Sequence, residues 1–118
     1  MSIHHQDLAA GRWNSFSLAE QLANVGSEVG RALNWRRKNN LEYSRMAFDR
    51  ALELLYMTIA DPKHRRRLKE LTRLREALLD YFLGDNDFES TEESWNKYFM
   101  AFGYAVAIKK ASERPKND

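Results

Sequence analysis

Cations, alternating carboxylates and histidines are the residues of this sequence whose types and spacing bear on chemistry. The run Lys63, His64, Arg65, Arg66 and Arg67 continues at helical spacing into Lys69 and Arg73. With a net charge of only +2, it is this distribution that argues for an anionic partner such as nucleic acid, with Arg65, Arg66, Lys69 and Arg73 as the candidate patch. Asp85, Asp87 and Glu89 open the stretch "DNDFESTEESWN" like a calcium loop. Ser90 stands where such a loop needs glycine and Asn96 where it needs a bidentate glutamate, so an acidic linker is expected instead. His4 and His5 are adjacent, with no His-Glu-x-x-His or Glu-x-x-His spacing anywhere, so no metal site is expected. The chain has no cysteine, which removes thiolate nucleophiles, disulfides and zinc-thiolate sites and suits a reducing cytoplasm. No Gly-rich phosphate loop is present and the serines lack a histidine partner in sequence. We therefore expect no catalytic residues, no cofactor and no enzyme; a hydrolytic site would require Arg75, His64 and an acid to converge in an open cleft.

These residues ride on helices. In 118 residues there are two prolines and five glycines, and the segments between them repeat their apolar residues at helical spacing. Ser17 and Glu20 fit a capping box opening a helix over 17–37, with the stripe Leu18, Leu22, Val25, Val29 and Leu33. Ala19, Ala23, Gly26 and Gly30 beside that stripe predict a close backbone approach, since each glycine costs about 1 kcal/mol in a helix interior. Trp13 and Phe16 precede it, as a staple or as a first helical turn. "RRKNN" makes a turn into a helix over 41–60 lined by Leu41, Phe48, Leu52, Leu55 and Ile59. Asp61 as N-cap and Pro62 at the first position begin a helix over 62–83. Ser90 with Glu93 gives a second capping-box spacing, for a helix over 91–111. Residues 1–10 and 112–118 are expected to fray. The fold class is all-α: one domain over 1–118, an antiparallel four-helix bundle with a short N-terminal helical extension.

On the third helix Leu68, Leu71, Leu74, Leu78 and Phe82 share one side, opposite Arg66, Lys69 and Arg73, with Glu76 and Asp80 later on that outer face. Bases early and acids late run against the helix dipole, at about 0.3–1 kcal/mol each. Burial of the five apolar side chains, at about 1.5–3 kcal/mol each, outweighs this. Arg75 projects within the apolar stripe, so it is expected to be a buried charge paired with Glu28 or Asp49, or to lie with its stem along the core. His64 projects there too, at the edge of the core.

From Trp95 to Ile108, "WNKYFMAFGYAVAI" has only Asn96 and Lys97 as strongly polar residues, so its projection is apolar nearly all round. Such a helix needs burial on more than one side. It is either a central helix wrapped by the others or a subunit interface through Trp95, Tyr98, Phe99, Phe102, Tyr104 and Ile108. No apolar run reaches the roughly 18 residues that span a bilayer, and the N-terminus has no leader pattern, so a cytoplasmic protein with no membrane contact is expected.

Residues 39–54, "NNLEYSRMAFDRALEL", resemble the turn and second helix of a tetratricopeptide repeat, with Phe48, Ala51 and Leu52 at that motif's Phe and Ala-Leu positions. Ser44, Asn39 and Tyr56 depart from its alanine, glycine and proline, and no second copy follows, which implies a bundle rather than a solenoid. In "GRWNSFSLAEQLAN", "AFDRALELL", "RLKELTRLREAL" and "SWNKYFMAF" the chain also resembles a group of short, uncharacterised prokaryotic helical proteins, a likeness that implies no activity. Bundles that accompany minimal nucleotidyltransferases or act as HEPN ribonucleases are a looser likeness. The latter carry Arg a few residues before His, whereas residues 58–60 ahead of His64 read Thr-Ile-Ala, so ribonuclease activity is not implied. The expected role is self-association as a homo-oligomer or adaptor work for a protein partner; the alternative is an accessory nucleic-acid-binding role for the basic third-helix face.

Overall fold

Local capping sets the helix boundaries. The computed structural model describes residues 11–113, and among them the fold is all-α with no strand. Residues 11–13 are helical and a turn follows. Ser17 then caps α1 (Leu18–Arg37) with the predicted box: its hydroxyl accepts from the Glu20 N–H at 3.2 Å while its own N–H donates to Glu20 Oε1 at 3.1 Å. Asn39, at φ 62°, takes the left-handed turn position that asparagine tolerates. Asn40 caps α2 (Leu41–Ala60), accepting from the Tyr43 N–H at 3.0 Å.

The third segment differs from its expected form. Asp61 and Pro62 start it as predicted, but Pro62–Arg67 is a 3-10 turn in which His64 leaves helical angles (φ −100°, ψ 20°). The α-helix proper, α3, is Leu68–Leu83. The break has a local cause: Asp61 holds the Lys63 N–H at 3.1 Å, while the His64 ring turns inward to Gln21. Most of the basic run therefore precedes α3 instead of filling its first turn, where Glu70 now stands and pairs with Arg67 at 2.8 Å. The conflict with the dipole is largely removed.

A loop leads to α4 (Glu92–Glu113), which runs past the expected end at 111. The cap is not the predicted Ser90 and Glu93 pair: the Thr91 hydroxyl accepts from the Ser94 N–H at 3.0 Å, and Ser94 Oγ accepts from the Thr91 N–H at 2.8 Å. Of the fraying expected at 1–10 and 112–118, residues 112 and 113 are helical instead, and 1–10 and 114–118 lie outside the described residues.

α1 is the shared element, with α2 on one side and α4 on the other, while α3 lies against α2. Small residues make the first contact close: Ser44 and Ala47 are buried, and Ser44 Oγ donates to the Ala32 carbonyl at 2.8 Å. The buried face of α2 is thereby turned away from Leu41, which the apolar line placed inward and which is 66% exposed. Phe48 reaches α3 and stacks on Phe82 at 4.5 Å. α4 runs antiparallel to α1, with Glu92 bonded to Arg37 at 2.9 Å at one end and Phe99 over Gly26 further along. Leu22, Val25, Val29, Leu55, Leu71 and Leu78 sit at the centre of the core, with Trp95 and Phe99 closing it from α4.

Of the two α1 glycines, only Gly26 marks a close approach: a Cβ there would meet Phe99 Cβ at 2.6 Å, while Gly30 has nothing within 4 Å. Phe99 Cβ lies next to its own backbone and cannot swing aside. Gly26→Ala should therefore lower stability by about 1–2 kcal/mol, the overpacking exceeding the propensity gain, whereas Gly30→Ala should raise it by up to about 1 kcal/mol. Urea unfolding of the two variants checks this pair of opposite signs.

Candidate functional site

The basic face of the third segment and the aromatic face of α4, read separately in the sequence, meet in one groove. It is lined by Arg66, Lys69, Arg73, Leu74, Trp95 and Tyr98, with Glu70 and Ala77 completing its α3 wall, and encloses about 500 Å³. It exists because α3 packs on α2 and α4 on α1, so their facing edges are bridged by few contacts, such as Tyr81 edge-on to Trp95 at 6.2 Å. The 3-10 turn places Arg66 on the same rim as Lys69 and Arg73. Among the described residues none of these three cations has an ion-pair partner, and Glu70 is already held by Arg67. Arg65 is exposed but does not line the groove.

The other wall carries two buried donors. Trp95 is 5% exposed, and among the described residues its Nε1 and the Tyr98 hydroxyl have no hydrogen-bond partner. Burial first, and the Glu70 carboxylate second, push the Tyr98 phenol above its usual range, while Arg67 pulls the other way. The hydroxyl end of Tyr98 thus feels the charges of α3.

Along α4 the six residues expected at an interface separate. Trp95 and Phe99 are buried against their own chain, Tyr98 and Phe102 are half-buried, and Tyr104 and Ile108 are exposed. Met100, Tyr104 and Ile108 form one outward line, 68%, 68% and 51% exposed.

Arg75 is not the buried charge expected from its projection; it is exposed. The buried face of α3 narrows to Leu71, Leu74 and Leu78, and its other edge, holding Leu68 and Arg75, opens to solvent. Glu28 pairs instead with Arg31 and Arg50, and Asp49 with Arg45.

His64 is buried, and around it lies a polar cluster that the sequence did not reveal. The Gln21 amide, fully buried on α1, donates to the Trp13 carbonyl at 2.9 Å and to Asp61 Oδ2 at 2.9 Å, while its Oε1 meets His64 Nε2 at 2.7 Å. Lys63 Nζ joins Asp61 Oδ2 and the Asn14 carbonyl, each at 2.6 Å. Trp13 Nε1 donates to the buried Thr58 hydroxyl at 3.1 Å. The cluster ties residues 13–16, α1, the end of α2 and the 3-10 turn together. Its bonds are made within the fold, although among the described residues Asn14 Oδ1 beside it has no partner. The one available signal was Gln21 lying one turn before Val25, on the flank of the stripe.

The acidic loop is organised by hydrogen bonds. Asp80 accepts from the N–H groups of Asp87 and Phe88 at 2.8 and 3.0 Å, and Asn86 bonds the Ser90 backbone in both directions. Among the described residues no group of three His, Asp or Glu side chains is placed to hold a metal; His4 and His5 lie outside them. Among them, too, no helix is long and apolar enough to cross a membrane. Comparison of the chain with protein-family models, curated proteins and solved structures finds no match.

Burial lowers the His64 pKa below its ordinary 6.5, Asp61 opposing and Lys63 and Arg67 adding to the effect. Burial would raise Asp61, but hydrogen bonds from Lys63 and Gln21 outweigh it and hold the carboxyl below 3.8. In both cases the unfolded chain takes up a proton more readily than the folded one, so stability falls with pH, first below about 6.5 and again below about 3.8. Thermal midpoints should drop from pH 7 to pH 5, and His64→Gln should flatten that part of the profile.

Proposed function

We propose that this chain is a non-enzymatic antiparallel four-helix bundle that works by assembling with copies of itself, the outer face of α4 covered by the same face of a second copy. The observation that supports it is the line Met100, Tyr104 and Ile108, exposed on a helix whose inner face is already occupied by α1. Contiguous apolar surface of this kind on a small chain marks an interaction site. The spacing 100, 104, 108 is that of one i, i+4 ridge on the helix surface, the row that interdigitates when helices pack. Two-fold pairing is the commonest way to cover such a face. An antiparallel pair also keeps the acidic first turn, Glu92 and Glu93, away from its counterpart.

The affinity is modest. Each large side chain contributes at most about 1.5–3 kcal/mol on full burial, against an association cost of about 4–15 kcal/mol. A dimer in roughly the micromolar range is consistent with these figures.

A second reading, nucleic-acid binding through Arg66, Lys69 and Arg73, draws on their convergence in the groove. It ranks behind the first because Trp95, almost wholly buried, offers no open ring face on which a base could stack.

Sedimentation velocity at tens of micromolar should show a dimer. Tyr104→Glu and Ile108→Glu should each weaken it by at least about tenfold while leaving helicity intact, and Tyr56→Glu, 69% exposed on α2, should not. A monomeric wild type would contradict the proposal.

A further inference from the structure

We infer that the loop at residues 84–91 of one copy seats Phe88 in the α3–α4 groove of another copy. The inference rests on the self-association reading and adds a second, different contact to it.

The two surfaces are complementary and both lack a partner. The groove is lined on its apolar side by the part-exposed Ala77 and Tyr98, with Leu74 and Trp95 buried behind them, under a rim of Arg66, Lys69 and Arg73, none of which has an ion-pair partner among the described residues. The loop carries the opposite pattern: Phe88, 49% exposed, is flanked by the exposed carboxylates Asp85, Asp87 and Glu89. Among the described residues none of these acids has an ion-pair partner.

The loop is also held ready in shape. Asn86 and Glu89 stand on either side at φ 57° and 54°, a left-handed conformation that asparagine tolerates but that is costly for glutamate. The bonds that the Asp87 and Phe88 N–H groups donate to the Asp80 carboxylate, and those between Asn86 and Ser90, maintain it. A knob fixed in advance loses little freedom on docking.

Loop and groove cannot meet within the α4 pair. A pair centred on Tyr104 brings the C-terminal half of one helix opposite the other's, while the loop precedes Glu92 and the groove lies at Trp95 and Tyr98, both toward the opposite end. The contact joins unlike surfaces, so it links one pair to the next and lets the assembly grow.

The test uses the full chain and two charge reversals confined to exposed residues. The groove variant is Arg66→Glu with Lys69→Glu and Arg73→Glu; the loop variant is Asp85→Lys with Asp87→Lys and Glu89→Lys. By sedimentation velocity, wild type should form species larger than a dimer as concentration rises. Each variant should stop at the dimer, and an equimolar mixture of the two should grow again, because each supplies what the other lacks. A wild type that stops at the dimer, variants that grow like it, or a mixture that fails to regrow would overturn the inference while leaving the pair standing. So would a groove variant that loses retention of a single-stranded RNA oligonucleotide yet still grows. A monomeric wild type would remove both claims.

Discussion

The seating of Phe99 on Gly26 is the contact from which the rest of the arrangement follows. It brings α4 against α1 at a distance that no side chain at position 26 would allow, and the Arg37 bond to Glu92 fixes the direction of the pair. α1 already carries α2 on another side, so α4 has one helix alongside it over most of its length. Trp95 and Phe99 are buried, whereas the line through Met100, Tyr104 and Ile108 is left facing outward. A sequence apolar around its whole circumference thus becomes a helix with one face used and one available.

The polar cluster at the other end of α1 governs the second surface. Gln21 reaches Asp61 and His64 together, and the inward turn of His64 breaks the third segment into a 3-10 turn and a helix. This break puts Arg66 in line with Lys69 and Arg73 on the rim facing α4. Buried polar groups are costly unless every partner is present. Here the bonds run between four separate stretches of chain, so a single amide sets where the basic rim lies relative to the aromatic wall.

Much of this was legible in the sequence where the cause is local. The Ser17 box, the Asn39 turn and the Asp61 cap each depend on residues within a few positions, and each stands where the spacing put it. What escaped depended on distance. Gln21 reads as an ordinary polar residue until Asp61 and His64, 40 and 43 positions away, are brought beside it. Arg75 lies within the apolar arc on an ideal helical projection, but α3 has a neighbour on a narrower arc than the apolar residues span, and Arg75 and Leu68 share its open edge. Thr91 takes the cap of α4 in place of Ser90, whose backbone N–H and carbonyl are instead bonded to Asn86. The aromatic content of α4 left open whether it is wrapped by the chain or faces outward, and only the packing on α1 tells which of its residues are buried inside the chain.

The claim that a second copy covers the outer face of α4 can be tested by distance. The chain has no cysteine, so Ala101→Cys, at an exposed position beside the Met100 to Ile108 line, places one spin label per molecule and any dipolar coupling between labels is intermolecular. Double electron–electron resonance at a concentration where the chain pairs should return one narrow, short distance, lost on adding Tyr104→Glu. A featureless decay from the labelled chain, the same with and without that substitution, would contradict the account.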